Sequence, residues 1–238
     1  MSADAEQPPA VRRLTTDDTA AVVGLQAAVL AGLPPGFLFP KDEVEFRAYL
    51  DGALGGAWGV VDDGALVAAS LLHVPAESRP NAPPRFRLVP EEDWPLHACF
   101  LQNTMVLPVA RGRGYQRALL DARLSHAAAI GMRWVGAGIS LQNRVSWANL
   151  LARGMVVADI RLDLGHPIIG LLRASDPSAL ASDASQQRVV GASGPAQHHA
   201  ALQDGYVGVR LAPDQSVIFQ RLSSPAARAA LSGSGGGR

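Results

Sequence analysis

Two spacings of apolar residues alternate along the chain, one typical of helices and one typical of strands. The polar start Thr16-Asp17-Asp18 predicts a helix just after a short strand at 11–14. The turn Asp62-Asp63-Gly64 between two apolar runs predicts a hairpin of strands 57–61 and 65–74. Further helices are predicted over about 41–50, 114–130, 143–153 and 197–203, and further strands over 97–107, 132–140, 155–162, 168–173, 206–211 and 217–222. Strands and helices mixed in this order are typical of an α/β protein.

Some segments show neither the helical nor the strand spacing of apolar residues. Residues 1–10 and 224–238 are predicted to be flexible ends, and the small, polar residues 174–187 predict a linker. The proline-punctuated stretch 75–95 is long for a loop inside a compact domain, which favours a functional or mobile loop. Residues 188–223 predict a C-terminal α+β extension. Three arrangements stay open for it: completing the sheet, covering an acceptor cleft, or forming a homodimer.

Composition excludes several classes of function. The chain is 48% hydrophobic and 18% charged, which is enough apolar material for a sizeable core. Lys and Arg together number 21, as do Asp and Glu, and this neutral balance argues against nucleic acid or a membrane surface as the main partner. The single cysteine, Cys99, excludes a disulfide framework and a multi-cysteine metal site, so we expect no metal.

The sequence also indicates the type of organism and the cellular location of the protein. Lys41 is the single lysine among the basic residues, and Ala and Gly are abundant, as in proteins of GC-rich bacteria. No apolar run reaches the roughly 18 residues of a membrane-spanning helix, and the first ten residues have no apolar signal core. We therefore expect a cytoplasmic protein.

The strongest chemical signal is the segment Val106–Gln116, between a predicted buried strand and the start of a helix. Gly112 and Gly114 allow neighbouring backbone amides to converge on one point, and the helix dipole favours an anion there. Arg111 and Arg113 add positive charge that can pair with phosphate oxygens. The alternative is a glycine-rich turn with two solvated arginines, and this segment alone does not choose between them.

Two known phosphate motifs do not fit this segment. A Walker loop ends in Lys-Thr or Lys-Ser, and a dinucleotide fingerprint has a third glycine where Arg117 stands. The helix that follows has Leu119, Ala122 and Ile130 on one side, which predicts its buried face.

The segment resembles the signature of the GNAT N-acetyltransferases: Arg or Gln, two residues, Gly, one residue, then Gly or Ala, directly after a strand. It matches from Arg111 to Gln116, and the departure at Gln116 implies a slightly wider turn. A second family landmark matches with Asn143, Ser146 and Gly154-Met155. Both landmarks, in the family's order of elements, identify residues 11–173 as a GNAT-like domain.

The resemblance implies an α/β fold with a mixed central sheet splayed around an acyl-CoA cleft and helices on both faces. It implies transfer of an acyl group, expected to be acetyl, from an acyl-CoA cosubstrate such as acetyl-CoA to an amine by direct attack. A backbone amide near Val106 would polarise the thioester carbonyl. The residues that the resemblance assigns to CoA binding are Met105, Val106, Leu107, Arg111, Gly112, Arg113, Gly114, Tyr115, Gln116, Asn143 and Ser146.

The usual proton-transfer groups of the family are not matched. The strand residues 100–104 include no carboxylate, and Leu150 stands at the position of the usual tyrosine. Two substitutes are His97, since histidine titrates near neutral pH, and Gln102, which can hydrogen-bond the acceptor or the pantetheine. A lone histidine is more often structural, and a polar strand residue can instead satisfy a bulge. The acidic residues of the 75–95 stretch, Asp93 among them, are further candidates that would act through water.

Hypotheses from different classes therefore remain. The leading one is an enzyme that relies on positioning and on an amine neutralised in solution. The second is a GNAT-fold acyl-CoA-binding sensor or interaction module with weak catalysis, and the third is a nucleotide-binding protein with a chance glycine-rich turn. The sequence indicates neither the acceptor amine nor the acyl-chain preference nor the oligomeric state.

Overall fold

The computed structural model describes residues 10–34, 36–75, 85–94, 96–162, 167–191 and 194–232. The chain forms two compact units, one built from Met1–Val74 with Leu101–Ala127 and the other from Pro75–Phe100 with Ala128–Arg238. The predicted flexible residues 1–9, residues 76–84 and 95 of the long stretch, and the last six residues of the predicted tail lie outside the described residues. Within the described ranges, no helix is both long enough and apolar enough to cross a membrane.

The first unit contains a sheet with helices packed on it. Its strands follow the order β1-β2-β3-β4, and β1 with β2 and β2 with β3 pair antiparallel. Its core joins helix and strand residues, among them Leu25, Phe46 and Met105. The elements are β1 (Val11–Arg13), α1 (Thr19–Leu30), α2 (Glu43–Leu50), β2 (Gly55–Asp62), β3 (Ala65–His73), most of β4 (Ala98–Val106) and most of α3 (Tyr115–Ala129).

The predicted hairpin is confirmed, and its turn explains the pairing next to it. Asp63 and Gly64 have φ angles of +48° and +77°, the pair of positive values that suits a two-residue turn between twisted strands. Asp62 pairs with Ala65 directly across this turn. The turn therefore sets the two pairs beside it, and a register shift between Val60 and Val61 sets the pairing of the rest of the two strands.

The predicted polar helix start is also confirmed, and it yields a testable contribution to stability. Asp18 accepts two hydrogen bonds from the Arg12 guanidinium, at 2.6 and 2.9 Å, and one from the Thr15 amide at 2.9 Å. The Arg12 guanidinium lowers the pKa of Asp18 below its ordinary value. A carboxyl whose pKa is lower in the folded protein stabilises it above the unfolded-state pKa, and this contribution is lost as the pH falls through the folded pKa.

We therefore expect Asp18→Asn to lower the free energy of unfolding by about 1 kcal/mol at pH 7. The difference from the wild type should shrink as the pH falls below about 4, where the wild-type carboxyl also protonates. Urea titrations at several pH values measure it, with exposed Asp17→Asn as the control. A difference that is independent of pH would contradict the assignment.

The second unit contains an antiparallel sheet in the strand order β5-β7-β6-β9-β10-β8. Strand β9 joins the sheet through Val157 and Gly208, so the C-terminal strands extend it, one of the three arrangements left open by the sequence. The elements are β5 (Trp134–Ser140), α4 (Arg144–Leu151), β6 (Val156–Arg161), β7 (Ile168–Ala174), β8 (Ser182–Val190), α5 (Pro195–Gln203), β9 (Tyr206–Leu211), β10 (Val217–Leu222) and α6 (Pro225–Ser232).

Two segments are more ordered than the sequence predicts. Residues 182–187 of the predicted linker form the first part of β8, which pairs with β10 alone among the described strands. Six consecutive residues of β8 are exposed, so this edge strand shows no apolar alternation that would reveal it. Residues 225–232 of the predicted tail form α6, which begins at a proline, is rich in alanine and buries Leu231.

Candidate functional site

The glycine-rich loop lies between β4 and α3, where the sequence predicts it. Gly112 and Gly114 have φ angles of +83° and +77°, so both need the left-handed freedom of glycine. An added Cβ would meet nothing within 4 Å at Gly112 and only the Arg117 guanidinium, at 3.7 Å, at Gly114. Backbone conformation, and not crowding, therefore requires glycine at both positions.

The loop leads into α3, whose first-turn amides have no partners inside the helix. The Ala118 amide makes the helical bond to the Gly114 carbonyl at 3.1 Å, and the Arg111 amide bonds the Pro108 carbonyl at 3.3 Å. Between them lie the backbone amides of residues 112–117. With the positive end of the helix dipole behind them, this arrangement suits an anion.

A carboxylate from the hairpin holds one of the loop arginines. Asp62 accepts hydrogen bonds from Arg113 Nη1 at 2.8 Å and from the Tyr115 hydroxyl at 3.2 Å. Tyr115 and then Asp62 raise the pKa of the exposed Arg113 above its ordinary value. Asp62 is 51 residues from Arg113 in the chain, so no local sequence signal points to this contact. It fixes the direction of Arg113, whereas Arg111 extends from the loop as an exposed side chain.

The strand that leads into the loop is irregular at Asn103, which has a φ of +26°. The Asn103 side chain donates from Nδ2 to the Phe39 carbonyl at 2.9 Å. Further along, Met105 is fully buried and the Leu107 amide bonds the Val67 carbonyl at 3.0 Å. Asn103, one of the polar residues in the middle of β4, thus takes part in a local distortion of the strand.

Helix α3 buries Leu119 as predicted, but the rest of its buried face differs from the predicted one. Its buried residues are Leu119, Leu120, Arg123 and Ala127, whereas Ile130, predicted to be buried, is 41% exposed. Arg123 is only 2% exposed. Beyond Leu119 the prediction was wrong because a charged residue interrupts the apolar face, and an arginine is ordinarily assigned to the surface.

Arg123 binds backbone and hydroxyl oxygens of two strands. Its Nη1 donates to the Leu71 carbonyl at 3.2 Å and to the Gln102 carbonyl at 3.3 Å. Its Nη2 donates to Thr104 Oγ1 at 3.0 Å, and its Nε to the Leu119 carbonyl of its own helix at 3.2 Å. This residue was not among those predicted from the sequence. The sequence signal that could have identified Arg123 is its helical spacing, four and three residues after Leu119 and Leu120, which are both buried.

In the second unit, Asn143 and Ser146 form the start of α4. Asn143 is the N-cap residue, and its Oδ1 accepts from the Ser146 amide at 3.3 Å. Leu150, at the position of the family's usual tyrosine, is 5% exposed. The Asn143 side chain therefore has a capping role that is independent of any ligand.

His97, the histidine singled out from the sequence, is partly exposed at the start of β4. Its carbonyl accepts the amides of Arg133 and Trp134 at 2.8 and 3.0 Å, so its backbone is tied to β5. The other candidate, Gln102, lies in the first unit, where its carbonyl is a partner of Arg123.

Asp93, one of the loop acids considered for catalysis, is a buried structural residue. It is 4% exposed, and its carboxylate accepts from the Trp134 indole nitrogen at 2.7 Å and forms an ion pair with Arg133 at 2.5 Å. Its neighbours Glu91 and Glu92 are exposed. Cys99 is buried within β4. In the part of the chain that the structure describes, no group of three or more His, Cys, Asp or Glu side chains could hold a metal ion.

Comparison with known proteins relates the fold to acetyltransferases. No protein-family model matches the chain, and no curated protein sequence matches it. Among solved structures, it resembles an N-acetyltransferase from Staphylococcus aureus Mu50, with 15% identity, a TM-score of 0.55, and coverage of 71% of this chain and 99% of that one.

Two further structures agree. A GCN5-related N-acetyltransferase from Kribbella flavida has 18% identity and a TM-score of 0.54, with 70% of this chain and 98% of that chain covered. The protein yncA from Salmonella typhimurium, described with its cofactor acetyl-CoA, has 18% identity and a TM-score of 0.54, with 71% and 95% covered. The chain therefore has the GNAT fold, the fold of the GCN5-related N-acetyltransferases.

Proposed function

We propose that this chain is an acyl-CoA-dependent N-acyltransferase that transfers acetyl from acetyl-CoA to an amine by direct attack. The observation that carries the proposal is the loop with Gly112 and Gly114, both at positive φ, which turns from β4 into α3 within a GNAT fold. Such a loop presents backbone amides and the positive end of a helix to an anion, and the CoA pyrophosphate is the anion that this fold suggests.

The GNAT resemblance suggests the binding role of each segment. The amides of residues 112–116 would hold the pyrophosphate, because the Arg111 amide already bonds the Pro108 carbonyl. The exposed Arg111 guanidinium would supply charge. The segment Met105–Leu107 would run beside the pantetheine. In the second unit, Asn143 and Ser146 are the residues proposed to contact the CoA arm. The hydrogen bond from the Ser146 amide to Asn143 Oδ1 already orients the Asn143 side chain.

The chemistry requires little from acidic or basic side chains. The amine nitrogen attacks the thioester carbon, the C–N bond forms, the C–S bond breaks, and the proton lost by the amine balances the proton that the CoA thiolate gains. The backbone amide of Val106 would stabilise the oxyanion of the intermediate. Gln102 and His97 are the proposed polar groups for the acceptor and for proton transfer. Both side chains are partly exposed, so each is accessible to a substrate or to water.

A second function, an acyl-CoA-binding module with weak catalysis, is favoured by two observations that argue against proton transfer by side chains. Leu150 is buried where the family's tyrosine would stand, and the Asp93 carboxylate is already bound to Arg133 and Trp134. The two functions differ in turnover. Release of free thiol from acetyl-CoA with a panel of primary amines supports the enzyme, and binding without release supports the module.

The first test is a thermal-shift titration of the wild type with CoA, acetyl-CoA, NADH and ATP. A ligand that binds only the folded state stabilises it by RT ln(1 + [L]/Kd), or about 2.7 kcal/mol at a hundredfold excess over Kd. In a chain of this size that corresponds to a rise of about 5–10 °C in Tm. We expect this rise with CoA and acetyl-CoA and not with NADH. No rise with either CoA or acetyl-CoA would overturn the proposal, and a rise with ATP alone would favour a nucleotide-binding protein.

A further inference from the structure

Arg123 hydrogen-bonds the residues on both sides of Asn103, the irregular point of β4. Asn103 has a left-handed φ, which asparagine tolerates better than most residues but which interrupts the regular geometry of a strand. Arg123 holds the preceding residue by the Gln102 carbonyl and the following residue by the Thr104 hydroxyl. The Asn103 side chain itself is bound to the Phe39 carbonyl. Three side-chain contacts thus keep this short stretch of strand in one conformation.

Residues 102–104 lead directly to the segment that would face the thioester. A residue at positive φ re-aims the backbone groups that follow it, and Val106 is three residues beyond Asn103. Arg123 belongs to the helix that starts at the glycine-rich loop, nine residues or about 13 Å beyond Gly114. One side chain therefore ties the strand that enters the loop to the helix that leaves it.

The chemistry of the side chain suits this task. The planar guanidinium has five N–H donors in a fixed fork, and here it reaches four oxygens on β3, β4 and α3. A lysine has one nitrogen and cannot span the same set. Burial of a cation is costly, and an apolar residue would pack at this position without that cost, so the hydrogen-bond fork is the property that an arginine adds here.

We propose that Arg123 is a positioning residue for acyl transfer. It fixes β4 around Asn103 so that the backbone amide of Val106 is directed at the thioester carbonyl of bound acetyl-CoA. The inference rests on the proposed function. Arg123 acts through the strand and does not touch the ligand.

The test measures how strongly the bound thioester carbonyl is polarised. Wild type and variants are mixed with acetyl-CoA labelled with ¹³C at the carbonyl. The shift of the carbonyl infrared band on binding is recorded, and affinity is measured by calorimetry. Thr104→Val removes one acceptor of the fork with little change of shape, and Arg123→Lys keeps the charge but not the fork. Ser70→Ala is the control, since among the described residues the buried Ser70 hydroxyl has no hydrogen-bond partner.

In the wild type and in Ser70→Ala the band should move to lower frequency on binding. In Thr104→Val and Arg123→Lys we expect at least half of this shift to be lost while affinity stays near the wild-type value. With an accepted amine, kcat should fall about tenfold with KM little changed, as for a small misplacement of a reacting group. A merely structural role would lower Tm in the variants without moving the bound band.

The outcomes separate this proposal from the proposed function. Acetyl-CoA that binds the wild type and gives the same shift in both variants overturns the role of Arg123 and leaves CoA binding intact. Binding to the wild type without any shift overturns it as well. Failure of the wild type to bind acetyl-CoA overturns the proposed function and this inference together. If Arg123→Lys does not fold, Thr104→Val decides the result.

Discussion

Gly114→Glu is expected to abolish the rise in Tm that CoA and acetyl-CoA produce in the wild type. Gly114 lies at the end of the loop with a φ of +77°, and an added Cβ would have the Arg117 guanidinium within 4 Å, at 3.7 Å. A glutamate there places a carboxylate where the pyrophosphate would bind. At a hundredfold excess of ligand the lost stabilisation is about 2.7 kcal/mol, and the measurement is the thermal-shift titration.

Two further variants separate charge from backbone strain. Gly131→Glu introduces the same side chain at almost the same φ, +76°, with nothing within 4 Å of the new Cβ, and it lies just after the C-terminal end of α3. It should lose intrinsic stability as Gly114→Glu does, yet keep the full response to CoA. Gly114→Ala carries the strain without the charge and should keep part of the response. An unchanged CoA response in Gly114→Glu would show that the ligand binds elsewhere.

The sequence predicts well the structural features that a few neighbouring residues determine. The hairpin follows from an Asp-Gly turn at positive φ, the first helix from its polar start, and the glycine-rich loop from two glycines between a strand and a helix. Each depends on the conformational limits of a few consecutive residues. For this reason their positions agree with the structure to within a residue or two.

The features that the sequence does not predict depend on contacts between residues that are distant in the chain. Arg123 looks like a surface residue in an apolar pattern, since its acceptors on Leu71 and Gln102 are 52 and 21 residues away. Asp62 approaches the loop arginine from 51 residues away. Strand β8 is held by its pairing with β10, and its exposed residues follow no apolar alternation. In each case the structure is specified by a partner and not by a local pattern.

Asp93→Ala is expected to lower the stability of the protein and to leave the response to CoA intact. The substitution leaves the buried Trp134 indole N–H without its acceptor and removes the partner of Arg133. The loss of a hydrogen bond to a charged group and of the ion pair should cost about 2–3 kcal/mol, because one member of the pair is buried and the other half-exposed. This corresponds to a fall of about 5–10 °C in Tm.

Two variants show whether Asp93 is structural or catalytic. Asp93→Asn keeps an oxygen for the indole and should recover part of the lost Tm, whereas Glu92→Ala, at the adjacent exposed acid, should leave Tm unchanged. If Asp93 acts only in the fold, acetyl transfer by Asp93→Asn, measured well below its Tm, should equal that of the wild type, because its amide still binds the indole. A wild-type Tm combined with a large loss of turnover in Asp93→Asn would instead make this loop acid part of the proton-transfer machinery. The buried, doubly engaged carboxylate argues against that result, since a base must be able to reach the amine.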